Sequence, residues 1–355
     1  MTNTAQKLAA GWAALYGTVA LVWTVTGAGF PYGPGNKTGD ASPLRALSPE
    51  IGAPLFAGVL LVAAVVLLGL SGGRPPRALR IAMLTYVGLV ATVLLVVLPD
   101  VRLLTLAGYL PMLIVGLPFG WPPVDYADIF TWTLANQAFA VLGGLLLARA
   151  ALRAHFGATG ACEDCGRSAR GRNWTSRESA ARWGRWAAYL AALVPVLYGV
   201  VRLAWAAGIP LGISSEFLRE MQDSGLVWAG AGLGAFAVAG AVLTLGLVQR
   251  WGEVFPRWMP GLAGRRVPIR LATVPATIVA VFVMSASVAF FSQAGAFAEM
   301  VVHGLAAAPI LTWPIWSVAL GAATLGYHLR RRPACGVCGR GDAGAQPPER
   351  LSPAV

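Results

Sequence analysis

IGAPLFAGVLLVAAVVLLGL, residues Ile51 to Leu70, contains no charged side chain. A bilayer core about 30 Å thick is crossed by about 20 apolar residues in a helix. Lipid offers no partner to backbone amides, so a run of this kind must close its own hydrogen bonds as a helix. Ile81 to Leu98 is a second charge-free run. Extended outward, the same reading gives spans at Leu8–Gly29, Ile51–Leu70, Ile81–Pro99, Ile129–Ala148, Trp186–Gly208, Gly225–Val248, Leu271–Phe291 and Ile310–Tyr327. The chain is 57% hydrophobic and 12% charged, against about 25% charged in an ordinary soluble domain. Barrel strands would alternate apolar and polar residues, and these runs do not. The expected fold is all-α, a polytopic membrane helix bundle of about eight transmembrane helices.

The net charge of +12 acquires its meaning from where it falls. With eight spans, one side takes the N-terminus, the loop of Arg74, Arg77 and Arg80, the centre from Arg149 to Arg185, the loop from Arg250 to Arg270, and the C-terminal tail. That side holds 22 of the 27 Lys and Arg but only 6 of the 15 Asp and Glu. The positive-inside rule makes it cytoplasmic. The expectation is a multi-pass cell-membrane protein with both termini in the cytoplasm. The basicity is then topology, and no nucleic-acid partner is expected. The implied partner is the lipid bilayer, whose anionic headgroups meet the basic side. Val101–Gly120 is apolar too, but Pro111 and Pro118 break it. As a ninth span it would move the arginine-rich centre outside, so it reads as a cap or re-entrant piece on the outer face. The long first apolar run and the single early charge at Lys7 speak against a cleavable signal peptide.

The chain also repeats itself. Ala161-Cys162-Glu163-Asp164-Cys165-Gly166-Arg167 and Ala334-Cys335-Gly336-Val337-Cys338-Gly339-Arg340 share the pattern A-C-x-x-C-G-R, 173 residues apart, and use all 4 cysteines. Tyr16-Gly17 stands before Trp23 as Tyr198-Gly199 stands before Trp205. Phe30-Pro31-Tyr32-Gly33 matches Ile209-Pro210-Leu211-Gly212, and Pro43 to Leu47 matches Phe217 to Met221. Ile129-Phe130-Thr131-Trp132 matches Ile310-Leu311-Thr312-Trp313. Matches in constant order indicate duplication. The expected domains are residues 1–172, a four-helix membrane repeat ending in a C-x-x-C turn, and residues 173–340, a second such repeat. Residues 341–355 form a Gly/Pro-rich disordered tail. Four spans per unit is even, so both units face the same way and their cysteines meet on the inner face. Short outer helices are expected from Ser42-Pro43 and near Ser214-Ser215, and Ser176-Arg177-Glu178 starts a surface helix running into the fifth span.

The C-x-x-C-G spacing resembles a zinc knuckle, in which two thiolates reach one ion and glycine lets backbone amides point at sulfur. The resemblance covers only the cysteine turns. Two knuckles would supply Cys162, Cys165, Cys335 and Cys338 as a tetrahedral, structural zinc site. The flanking arginines lower thiol pKa and aid loading. A redox-active thiol pair and plain reduced cysteines stay open beside it. The loop Trp251-Gly252-Glu253-Val254-Phe255-Pro256-Arg257-Trp258 suits an interfacial anchor. With the preceding helix it resembles a loop of uncharacterised bacterial polytopic membrane proteins, a resemblance that implies no activity.

Among other side chains, Arg202 is the one cation well inside a span. It is read as snorkelling or pairing with Glu216, Glu220 or Asp223, with a substrate-anion role as the alternative. Asn136 and Gln137 suit interhelical hydrogen bonds, and Gly230 and Gly234 a packing face. Asp100, Asp125, Asp128, Glu299 and His303 fall on the outer face. Glu299 and His303, four apart, share a helix face and are a substrate or metal candidate beside Arg202 and Glu216. No phosphate-loop, H-E-x-x-H or G-x-S-x-G pattern occurs. The expected function is non-enzymatic: a small-molecule carrier or binder with its site between the repeats and a cytosolic Cys₄ clamp. The rivals are a membrane thiol oxidoreductase using the cysteine pairs and a scaffold docking a cytosolic partner.

Overall fold

The computed structural model describes residues 4–34, 42–73, 75–116, 118, 129–168, 173–293 and 311–341. Glu299, His303, Asp125, Asp128 and nearly all of the expected tail lie outside the described residues. The described chain is helical, with one isolated antiparallel bridge between Val254 and Arg266. In order, the helices are α1 Thr4–Thr26, α2 Pro49–Gly72, α3 Arg77–Thr92, α4 Val101–Gly116, α5 Trp132–Ala158, α6 Arg177–Ala206, α7 Ser215–Asp223, α8 Leu226–Leu245, α9 Ile269–Phe291 and α10 Trp313–Arg331. A π-helical turn, Val93–Val97, extends α3.

Seven of these, α1, α2, α3 with its π turn, α5, α6, α8 and α9, are long and apolar enough to cross a membrane. Bulky aliphatics on them face outward, including Val25, Val65, Leu193 and Leu243, as lipid contact requires. The eighth expected span falls on α10, whose last turn carries His328, Arg330 and Arg331, and α10 is not among the seven. Val101–Gly120 contains a regular helix, α4, that packs on α5 and α9.

The helices pack in two groups. α1 lies on α2 and α5, and α3 lies on α2 and α5; α6 lies on α8 and α10, and α9 on α10. The groups touch where α9 meets α4 and the π turn. There Ser285 Oγ donates to Pro99 O at 2.5 Å. Between membrane helices, close approach through small residues replaces the hydrophobic drive of water. A Cβ on Gly17 would lie 3.0 Å from Leu61 of α2, and one on Gly199 would lie 3.0 Å from Gly234 O of α8. The tetrapeptides after these helices also share a conformation: Gly29 and Gly208 have φ of +88° and +83°, and Gly33 and Gly212 +93° and +77°.

The caps explain the boundaries. Ser176 accepts from Ser179 N, so α6 begins before its apolar stretch and reaches 30 residues. Ser214 accepts from Phe217 N and starts α7, the expected outer helix. The other expected outer helix is a turn, because Ser42 Oγ bonds Leu44 N two residues on instead of capping a helix. α5 runs to Ala158, where Gly160 at φ +70° closes a Schellman end, with Ala161 N bonded to Phe156 O at 2.9 Å and Gly160 N to Gly157 O at 3.3 Å.

α6 and α10 cross closely through small residues. A Cβ on Gly326 would lie 2.9 Å from Gly184 Cα and 3.1 Å from Ala180 O, whereas one on Gly232 meets nothing within 4 Å. Overpacking of this kind costs roughly 1–3 kcal/mol. Gly326→Ala is expected to lower the thermal midpoint in detergent, and Gly232→Ala to leave it unchanged or slightly raised.

Candidate metal centre

Both cysteine turns start four residues beyond a helix, after Ala158 of α5 and Arg331 of α10. The first follows the glycine-based end just described. The second follows Pro333, which cannot continue a helix. Each turn then closes identically. Gly166 N bonds Cys162 O at 2.8 Å and Cys162 N bonds Arg167 O at 2.9 Å; Gly339 N bonds Cys335 O at 2.8 Å and Cys335 N bonds Arg340 O at 3.0 Å. Gly166 and Gly339 sit at φ +71° and +68°, a conformation that disfavours any side chain by roughly 1–2 kcal/mol. Phe156 of α5 also fills the space a Cβ on Gly166 would need.

The two turns face each other. Cys162 Sγ lies 4.0 Å from Cys335 Sγ, and Cys165 Sγ lies 3.7 Å from Cys338 Sγ. All four sulfurs lie within 4.8 Å of one another. A tetrahedral zinc with bonds near 2.3 Å requires sulfurs about 3.8 Å apart, so the cluster has the right size for one ion. All four cysteines are free thiols, Cys335 buried and the others half-buried.

Arginines brace the pair. Arg167 Nη1 donates to Pro333 O and to Arg340 O, both at 2.9 Å. In return Arg340 Nη1 donates to Arg167 O at 3.1 Å. Arg332 Nη1 reaches Cys165 O at 3.3 Å. The two sulfur contacts and the two arginine contacts between Arg167 and Arg340 all join residues separated by 173, so equivalent atoms of the two turns meet across a local two-fold. Three guanidinium groups beside the cysteines would also offset the net negative charge of a Cys₄ divalent site.

The thiols are not equivalent. Backbone amides of Cys338 and Val337 point at Cys335 Sγ and, against burial, lower its pKa to about 7. Burial opposes ionisation of Cys162, but the amides of Cys165 and Asp164 and the neighbouring thiols lower it overall. Burial, with thiol contacts that favour its protonated form, pushes Cys165 up to about 12. The first cysteine of each turn thus ionises more readily than a free thiol, and Cys165 less readily.

Arg202 and Glu216, the remaining candidates among the described residues, are not brought together. Arg202 packs its guanidinium over Tyr198 at 5.2 Å and Trp205 at 4.8 Å. Its stem fills the Gly230–Gly234 face of α8, where a Cβ on Gly234 would lie 2.8 Å from Arg202 Cβ. Four residues from the end of α6, it is within snorkelling reach of the surface, about 6 Å at 1.5 Å per residue. Glu216 is exposed in the first turn of α7, and the described residues contain no ion pair between it and Arg202. Asn136 makes the expected bond between helices, accepting at Oδ1 from Tyr16 Oη at 3.0 Å, while Gln137 Nε2 donates at 2.8 Å to Oδ2 of Asp100 in the break before α4. Asp100 is buried and paired with Arg102 at 2.7 Å, a cluster that no residue spacing announces. A partly open space of about 40 Å³ lies between the first part of α6 and the last part of α10, lined by Gly184, Arg185, Val248, Gly326, Tyr327 and Arg330, away from Arg202. The chain matches no protein-family model, no curated protein and no solved structure.

Adjacency of the sulfurs is directly testable. In metal-stripped protein with a protease site placed between residues 169 and 172, mild oxidation is expected to leave the two fragments joined by a reductant-sensitive bond. Cys335→Ser/Cys338→Ser should release them. Two separate fragments from the oxidised parent would contradict the arrangement.

Proposed function

We propose that this is a multi-pass membrane protein built from two tandem four-helix repeats, clamped at their cytoplasmic ends by one structural zinc ion on Cys162, Cys165, Cys335 and Cys338, and acting without catalysis. The observation that carries the proposal is the four-sulfur cluster contributed equally by two turns 173 residues apart. Duplication is supported further by the paired conformations of Gly29 with Gly208 and Gly33 with Gly212. A tetrahedral all-sulfur set suits zinc best among common metals at protein thiolates. Four thiolates leave no position for a water, so such a site holds structure and does not perform hydrolysis.

The cytoplasmic placement rests on the arginine distribution. It also suits the chemistry, since a reducing compartment keeps thiols available to metal. A clamp at this place fixes the relative position of two membrane units and presents a rigid basic surface. That favours the scaffold role over the carrier role, because aromatic rings and the α8 glycine face occupy the surroundings of Arg202.

Full-length protein purified in detergent is expected to carry about one zinc per chain. Cys162→Ser or Cys335→Ser should lose the metal and lower the thermal midpoint. Acidification should release it, because every ligand must be deprotonated to bind. Arg167→Ala leaves all four ligands in place but removes the brace to Pro333 O and Arg340 O, and should weaken metal affinity about 10–100-fold, the usual effect of losing an outer-shell partner. Metal-free protein whose thiols cycle between reduced and oxidised forms with a quinone would overturn the clamp and install the thiol oxidoreductase.

A further inference from the structure

After α8 the chain does not simply loop back to α9. It makes a 3₁₀ turn, Arg250–Gly252, and then a closed hairpin. Val267 N bonds Glu253 O at 2.9 Å, Phe255 N bonds Arg265 O at 3.0 Å, and Gly264 N bonds Phe255 O at 3.1 Å. The tip from Pro256 to Ala263 is itself folded, with Ala263 N bonded to Met259 O at 3.0 Å and Gly261 and Gly264 at φ +78° and +75°.

The base of the hairpin is fastened to α10. Arg331 donates to Val267 O at 3.0 Å and to Glu253 O at 3.3 Å. Tyr327 Oη donates to Gly252 O at 2.6 Å, and Arg330 pairs with Glu253 at 2.6 Å. The hairpin is thus preformed, and the ordering cost of binding has been met in folding.

Its outward surface is cationic and aromatic. Arg257, Arg265, Arg266 and Arg270 are exposed. No acid occurs between Val254 and Arg270, and the nearest one, Glu253, is already paired. These four arginines make no ion pair among the described residues. At the tip Trp258 is 78% exposed and Leu262 38% exposed. A tryptophan so exposed is poorly placed in water and well placed among headgroups and upper acyl chains.

Position selects the partner. The hairpin joins two helices long and apolar enough to span, α8 and α9, so it is held at the membrane surface. Anionic headgroups are the anions always present at that height, well within a Debye length of about 8–10 Å. We propose that the Val254–Val267 hairpin is a built-in recognition surface for anionic phospholipid, with Trp258 and Leu262 inserted at the interface and Arg257, Arg265 and Arg266 around the headgroups. The inference rests on the membrane reading and not on the metal, so loss of zinc leaves it standing.

The test uses full-length protein in phosphatidylcholine vesicles containing brominated phosphatidylglycerol or, at the same mole fraction, brominated phosphatidylcholine. The quenching of Trp258 is read as the difference between the parent and Trp258→Phe, because the chain holds 13 tryptophans. Quenching by the anionic lipid is expected to exceed that by the zwitterionic one. Arg257→Gln/Arg265→Gln/Arg266→Gln should bring the two to parity, with roughly fivefold lost in lipid preference for each arginine. The preference should also fall at high salt. Thermal unfolding of the triple variant shows that the bundle is intact. Equal quenching in the parent overturns the proposal, as does a preference that survives the triple substitution. Quenching by neither lipid would overturn it too, since the tip would then face water and a different partner.

Discussion

Four sulfurs within 4.8 Å of one another cannot all be bare thiolates. Like charges at that separation repel strongly in a partly buried site, so the cluster must hold protons or a cation. The surrounding structure serves this constraint. Left-handed glycines allow the turns, backbone amides point at Cys162 and Cys335, and the guanidinium groups of Arg167, Arg332 and Arg340 are drawn in as backbone braces. Because each turn hangs directly from the end of a long helix, bringing the sulfurs together also fixes where α5 and α10 end relative to each other.

The three consecutive arginines at the end of α10 distribute that constraint. Arg330 and Arg331 hold the hairpin through Glu253, Leu247 O and Val267 O. Arg332 turns the other way and holds the carbonyl of Cys165. One turn of chain thus joins the hairpin, α10 and the first cysteine turn. Exposed arginine pairs contribute little, but a half-buried guanidinium donating to several carbonyls satisfies acceptors that would otherwise be orphaned at a helix end. At the opposite end of the bundle, Asp100, Arg102 and Gln137 form the polar fastening of the first half. Beside it Ser285 ties α9 to the break after the π turn.

Much of this was legible in the sequence. Apolar runs of bilayer length predict seven of the long helices, and the repeated A-C-x-x-C-G-R pattern predicts which side chains meet across 173 residues. The pattern works because glycine and the two cysteines have few other reasons to recur at one spacing. Helix ends were less legible. α5 continues ten residues past the expected Ala148, since nothing stops it before Gly160, whereas α6 starts at the expected Ser176 cap. Ser42-Pro43 has the composition of a helix start, yet a local hydroxyl bond makes it a turn. Partners such as Arg167 with Pro333 O or Gln137 with Asp100 were not legible at all, because a bond to a backbone carbonyl or a lone distant acid leaves no periodic trace.

The central claim is that the two cysteine turns form one all-sulfur metal site. X-ray absorption at the zinc edge of the purified full-length protein tests it most directly. The expected first shell is four sulfurs at about 2.3 Å with no nitrogen or oxygen ligand. A first shell containing light atoms, or only two sulfurs per ion, would contradict it, because each turn would then bind alone and nothing would join the halves.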